Sequence, residues 1–339
     1  MKIVVLGIDL AKNVFALHGV DEHGKPALVQ PSVRREKLLE VVAQLPPCLI
    51  GMEACSGAHH WARAFSRFGH TVRLMAPKFV VPYRLSGKRG KNDAADAAAI
   101  CEAVQRPAMR FVPVKDEAQQ AHLTLHRVRQ GFVTERTAMI NRLRGLLAEF
   151  GHVLPLKASV VRRQARAAIE TLPSLAREAL EDLLVTIAQL DERINAYDTK
   201  LRQIARQDRR ITRLMALPGV GETSAGALVA SIGNGHEFKN GRQFAAWLGL
   251  VPGQYSSGGK SRLGRITKAG DAYLRSLLVM GARAVLALAA QREDRISRWA
   301  RALAVRRGYW RAVIAVAAKN ARLAWACLAR GDTFELIAD

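Results

Sequence analysis

The chain has 339 residues, 52 of them Lys or Arg against 29 Asp or Glu, which gives a formal net charge of +23. A length of this order holds two or three folded units, and a positive excess this large goes beyond what solubility needs and points to a polyanionic partner. With 49% hydrophobic and 24% charged residues, the chain carries too much core material for a disordered basic tail, which leaves a folded nucleic-acid-binding protein.

Residues 1–115 carry a net charge of +8. Within them Lys2–Ile8 and Val14–Val20 read as strands around a turn, Leu49–Met52 as a buried strand, Ala58–Phe68 as a helix and Thr71–Met75 as a further strand. This is an α/β layout with a mixed sheet. The hairpin-like start followed by strand-helix-strand suggests this rather than a doubly wound dinucleotide fold, and no GxGxxG follows the first strand.

Residues 116–209 are nearly balanced at +3 and read as long helices, broken only at Gly151–Pro155 and Pro173. Leu183, Ile187, Leu190, Ile194, Tyr197, Leu201 and Ile204 alternate spacings of 4 and 3, a heptad seam. A coiled coil between chains and a helical hairpin within one chain fit that spacing equally.

Residues 210–339 are the most basic segment, at +12. They contain a Leu217–Gly221 turn, a helix around Phe244–Leu248, a polar glycine loop over Gly253–Gly264 and a long helix from Asp271. Arg283, Lys319 and Arg322 interrupt the apolar runs, so no membrane span is expected. The first residues soon meet Asp9, which makes a poor export signal. Cys48, Cys55, Cys101 and Cys327 form no CxxC pair, so reduced thiols in a cytoplasmic protein are the expectation.

Three patterns carry chemistry. Asp9 and Glu53 each follow an apolar strand, and Asp93 and Asp96 lie three apart at the start of an alanine-rich helix, on one face. Hard divalent cations need clustered oxygen ligands, so the four acids together suggest a metal site, whereas singly Asp93 and Asp96 read as helix caps. The Leu217-Pro218-Gly219-Val220-Gly221 turn resembles a helix-hairpin-helix, whose free amides touch a DNA phosphate without reading sequence; an ordinary tight turn is the alternative. In the loop from Tyr255 to Gly270, Lys260, Arg262, Arg265 and Lys268 can neutralise phosphates, and Arg275 follows on the next helix. A serine there needs a metal or guanidinium beside it to act as a nucleophile; a flexible loop making phosphate contacts only is the competing reading.

Taken together, the GIDLAK, GMEACSGAHHW and KNDAADA segments and the LPGVGETSAGALVASIG, FAAWLGLVPGQYSSGG and GRITKAGDAYLR segments resemble the DEDD-type transposases of the insertion sequence one-ten family. These act as bridge-RNA-guided recombinases, and the eleven-eleven subgroup is the most similar. The resemblance covers nearly the whole chain.

It implies an α/β RuvC-like (RNase H type) N-terminal domain over 1–115, a helical coiled-coil oligomerisation region over 116–209, and a mainly helical transposase domain over 210–339. It also implies a Mg2+-binding tetrad of Asp9, Glu53, Asp93 and Asp96, and a nucleophile at Ser257, with Ser256 the near alternative. Implied partners are target and donor DNA, a structured guide RNA, and further copies of the chain, with tetrad and serine meeting from different protomers. A RuvC-type nuclease using water and a non-enzymatic architectural protein are the competing classes.

Overall fold

In the computed structural model, residues 2–84 and 92–335 are described, less the side chains of residues 158 and 159. Lys91, quoted in the KNDAADA segment, lies outside the described residues. Contacts divide the chain into two units, Met1–Glu117 and Ala118–Asp339.

The first unit runs β1 (Val5–Asp9), β2 (Val14–Val20), β3 (Pro26–Arg34), α1 (Leu38–Ala43), β4 (Leu49–Glu53), α2 (Ala58–Ser66), β5 (Thr71–Met75), α3 (Pro77–Val80), α4 (Asp93–Val104) and β6 (Phe111–Val112). They build one six-stranded sheet in the order β3-β2-β1-β4-β5-β6. β1, β4 and β5 are mutually parallel, while β2, β3 and β6 pair antiparallel to their neighbours. Both faces of the centre are covered, which is why β1 and β4 read as unbroken apolar runs. One core gathers Leu6, Ile8, Phe15, Ile50 and Met52 with Trp61 and Phe65 of α2; the other gathers Val5, Val20 and Met75 with Ile100 and Val104 of α4.

The sequence reading lacked β3 and β6. β3 is a largely exposed edge strand with Pro26 and Pro31 in it, so it shows no apolar run, and proline is tolerated there because one side of an edge needs no ladder bond. β6 has only two residues.

How α4 meets the sheet positions the candidate site. Gly7 and Gly51 are register partners on β1 and β4. A Cβ on Gly7 would lie 2.2 Å from the Ala97 carbonyl oxygen, and one on Gly51 would lie 2.8 Å from Val104 Cβ. The backbone of α4 at Ala97 and Cys101 and the Val104 side chain therefore rest directly on the sheet, an approach that glycine below permits.

The second unit runs α5 (Glu117–Ala148), α6 (Ala158–Glu170), α7 (Ser174–Gln207), α8 (Arg209–Met215), α9 (Glu222–Ile232), α10 (Gly241–Trp247), β7 (Pro252–Gln254), β8 (Leu263–Ile266), α11 (Ala272–Leu288), α12 (Arg295–Arg307) and α13 (Tyr309–Ala329). α5 and α7 run antiparallel. Arg129 pairs with Asp198 at 2.5 Å, Arg136 with Asp191 at 2.8 Å, and the rings of Phe132 and Tyr197 meet edge to face. Leu180 and Ile187 share a core with Ile140, Leu143 and Leu147 of α5 and with Val161 and Ala165 of α6.

This corrects the expectation that the heptad seam serves oligomerisation. Ile187, Leu190, Ile194 and Leu201 are already buried within the chain, so a second copy has no access to them.

A second correction concerns hydropathy. By length and composition alone, the helices Ala272–Gln291 and Tyr309–Ala329 are apolar enough to cross a membrane; isolated cations break a run without removing its apolar average. Both turn buried faces into the C-terminal core, α11 through Leu274, Leu278, Ala282 and Val285, and α13 through Val313, Val316, Ala317 and Ala321.

His126 of α5 is fully buried, with Nδ1 3.1 Å from the Tyr273 hydroxyl. Burial, with His122 and Arg129 nearby, pushes its pKa down to about 3. The unfolded chain thus takes up a proton near pH 6.5 that the folded state refuses, so this contribution is complete above that pH and is lost as pH falls. Between pH 7 and 5 the loss is about 2 kcal/mol. Thermal melts should show that drop in the native protein and a smaller one in His126→Gln. Separately, Ile187→Ala should cost about 2–5 kcal/mol in unfolding free energy with no change of oligomer mass, because its cavity opens inside one chain.

Candidate active site

β1 and β4 are adjacent and parallel, so their C-terminal residues, Asp9 and Glu53, end side by side. Ligand sites in open sheets form outside such ends. The seating of α4 on Gly7 and Gly51 brings its first turn, with Asp93 and Asp96, over the same edge. The cap of α4 is Asn92, whose side chain accepts from the Ala95 amide at 2.7 Å. Capping therefore does not account for Asp93 or Asp96.

The four carboxylates sense one another. Asp9 is pushed up to about 6 by burial first, then by Asp96, Glu53 and Asp93, with Arg84 pulling the other way. Arg84 was not singled out from the sequence. Its Nε lies 2.8 Å from Asp96 Oδ1 and its Nη2 3.9 Å from Glu53 Oε1. Although Arg84 Nε and Asp96 Oδ1 are so close, neither makes a well-aligned hydrogen bond, so the contact is a charge pairing. Nothing in the order Val81-Pro82-Tyr83-Arg84 marks this one cation among so many.

Among the described residues, no three His, Cys, Asp or Glu side chains stand close enough to hold one ion. The donor chemistry still fits a hard divalent cation: four oxygen-bearing side chains are near enough that, after burial, they add to the rise in the Asp9 pKa, and a guanidinium balances part of their charge.

The second cluster lies on β7 and β8. Tyr255 N donates to the Arg262 carbonyl at 2.8 Å, Lys260 N donates to the Ser257 carbonyl at 3.1 Å, and Ser257 and Lys260 form a bridge pair. The loop is thus an ordered hairpin whose central residues, Gly258 and Gly259, both have positive φ, as a type I′ turn requires.

Strand alternation then sorts the side chains. Tyr255 and Ser257 share a face with their partners Arg262 and Lys260, and Ser256 takes the other face with Gln254. Gln254 Nε2 donates to Ser256 Oγ at 2.9 Å, which engages that hydroxyl. On the Ser257 face, a Cβ on Gly264 would lie 3.4 Å and one on Gly253 3.8 Å from the Tyr255 ring, so the two glycines seat that ring. Ser257, Lys260, Arg262, Arg265 and Lys268 are all exposed.

Arg275 sits apart from these. Its Nη1 donates to the carbonyls of Leu248 at 3.0 Å and Ala269 at 3.1 Å, making it a strut that closes the loop. The Leu217–Gly221 turn also splits in role. Gly219, at positive φ, lies against Gly281 of α11, whose carbonyl oxygen would be 2.4 Å from a Cβ there. Gly221 faces open space at the start of α9, which has no side-chain cap.

Comparison with known proteins adds the following. Residues 6–152 match the DEDD family of IS110 type, described as "Transposase", and residues 211–300 match the "Transposase IS116/IS110/IS902 family". The chain is 47% identical to a probable family 20 transposase of Pseudomonas aeruginosa, over 97% of this chain and 98% of that protein. It is 40% identical to the transposase for insertion sequence element IS1111A of Coxiella burnetii, over 98% of this chain and 91% of that protein. It is 38% identical to the transposase for IS1328 of Yersinia enterocolitica, over 98% of each.

The glycine seat yields a direct check. Gly7→Ala should force α4 off the sheet, costing about 1–3 kcal/mol by overpacking. Denaturant melts should show that loss, whereas Gly24→Ala, in open space at positive φ, should cost only local strain.

Proposed function

Because the chain belongs to the IS110/IS116 family of DEDD transposases, which cut and rejoin DNA for an insertion sequence, we propose that it is a site-specific recombinase with Ser257 as its nucleophile. The observation that carries this is the Ser257 face of the hairpin. An exposed residue at the hairpin turn shares a face with Lys260 and Arg262, while its neighbour Ser256 accepts a hydrogen bond from Gln254 on the opposite face.

In the proposed reaction Ser257 Oγ attacks the scissile phosphorus. The Oγ–P bond forms as the P–O3′ bond breaks, the 3′ oxygen leaves as a hydroxyl, and the serine proton passes to solvent. Lys260 and Arg262 stabilise charge on the phosphoryl oxygens. Attack by a 3′ hydroxyl on the phosphoserine reverses the step and restores the serine, so rejoining needs no external energy source. Asp9, Glu53, Asp93 and Asp96 would hold Mg2+, which when bound supplies positive charge to the scissile phosphate. Arg84 keeps Asp96 and Glu53 in place and balances their charge.

We assign DNA contacts to Arg265, Lys268 and the Gly221 end of α9, with Gly219 and Arg275 holding those segments in position, and we read the Leu217–Gly221 turn as a helix-hairpin-helix. A structured guide RNA is the proposed source of sequence choice, in keeping with the +23 charge. A homo-oligomer, in which the tetrad of one protomer serves the serine of another, is supported by exposed apolar side chains around the α6 connections, Val153 at 88%, Leu156 at 91% and Leu175 at 82%. The cytoplasm, where chromosomal DNA lies, is the proposed location.

A suicide DNA substrate tests the nucleophile. Native protein and Ser256→Ala should form a protein-DNA adduct that survives denaturation and chelator, and Ser257→Ala should form none. Asp96→Asn should bind DNA but lose cleavage by roughly a thousandfold or more. An adduct in Ser257→Ala would overturn the assignment, and cleavage without adduct in every variant would establish a water-using nuclease.

A further inference from the structure

Trp310 stands out by exposure. Of the five tryptophans, Trp61 and Trp325 are buried, Trp247 and Trp299 are half-buried, and Trp310 is 63% exposed. It lies in the first turn of α13, with its ring edge to face against exposed Tyr309 at 5.3 Å between centroids. Arg283, reaching from α11, places its guanidinium 5.8 Å from the Trp310 ring centre. Arg306 and Arg307 end α12, and Arg311 follows on α13. All three are exposed, and none forms an ion pair among the described residues. No carboxylate is near in sequence either: from Arg295 to Arg330 there are nine Lys or Arg and no Asp or Glu.

An indole left in water beside uncompensated guanidiniums suits one ligand chemistry well. Every nucleobase offers a π face to stack on an aromatic ring, and its flanking phosphates neutralise arginines. A base inside a duplex is already stacked on both sides, so only an unpaired base can use the ring. DNA that is cut and rejoined passes through such unpaired strands. A second copy of the chain suits the surface poorly, since a two-fold contact would press one arginine cluster against another.

We infer that Tyr309 and Trp310 form a stacking platform for an unpaired base of a DNA single strand, with Arg283, Arg306, Arg307 and Arg311 holding the adjacent phosphates. The inference rests on the family's action on DNA and is independent of the Ser257 and guide-RNA readings. It places a strand-holding surface outside both the tetrad and the hairpin.

The test is fluorescence anisotropy on the full chain with a short labelled DNA strand, its duplex, and an RNA strand of the same sequence. Trp310→Ala should weaken the DNA strand by roughly tenfold with little effect on the duplex. Trp310→Phe should retain most of the affinity, and neither change should alter the salt dependence. Arg306→Ala with Arg307→Ala should instead flatten the salt dependence on strand and duplex alike, because those side chains bind phosphate. Trp310 is exposed, so its replacement leaves the fold intact, which a thermal melt checks. The inference fails if Trp310→Ala leaves strand affinity unchanged, weakens strand and duplex equally, or weakens only RNA. It also fails if that variant lowers the oligomer mass or loses affinity for anionic vesicles.

Discussion

The candidate acid cluster depends on one close approach, that of α4 to the sheet at Gly7 and Gly51. A helix normally stands off a sheet by the thickness of two side-chain layers. Here one layer is missing, since two glycines pair across β1 and β4 and the helix above offers small alanines and Val104. The consequence is electrostatic. Carboxylates from α4 come within reach of those at the ends of β1 and β4, and burial first, then these neighbouring acids, push the Asp9 pKa up to about 6. The sheet thus carries an unfavourable concentration of negative charge that its cores stabilise and Arg84 only partly offsets.

The hairpin solves a different problem with equally local means. A hydroxyl can be presented reproducibly only if its backbone is fixed, and the Gly258-Gly259 turn, the Tyr255–Arg262 hydrogen bond and the Arg275 strut fix it. The period of two along a strand then decides which of two adjacent serines shares a face with Lys260 and Arg262. Gly249 and Gly270 close the base of the loop. A Cβ on Gly270 would lie 1.9 Å from the Trp247 carbonyl oxygen, so the chain there passes backbone against backbone.

In the second unit, charge is handled in two ways. Between α5 and α7, arginines meet aspartates across a half-buried interface, which accounts for the near balance of that segment. Along α12 and α13 the sequence supplies no acids; Arg301 pairs with Glu293 just before α12, while Arg306, Arg307 and Arg311 are exposed and form no ion pair among the described residues.

Much of the protein was legible in its sequence. The central strands announced themselves as short apolar runs, the long helices by their periodicity, Asp9 and Glu53 by following apolar runs, and Asp93 and Asp96 by their spacing of three at a helix start. Net charge alone indicated a polyanion. These are properties of residue order, because period and composition act over a few neighbouring positions. The tertiary structure decided the rest. Edge strand β3 has no burial to write into its pattern. A heptad seam looks the same whether its partner is another chain or α5 and α6, and only folding shows that the chain covers it itself. Arg84 gained its place beside Asp96 through contacts between separate elements, and strand register put Ser257 and Ser256 on opposite faces of the hairpin. In each case the deciding quantity was a distance between residues that the sequence does not order next to one another.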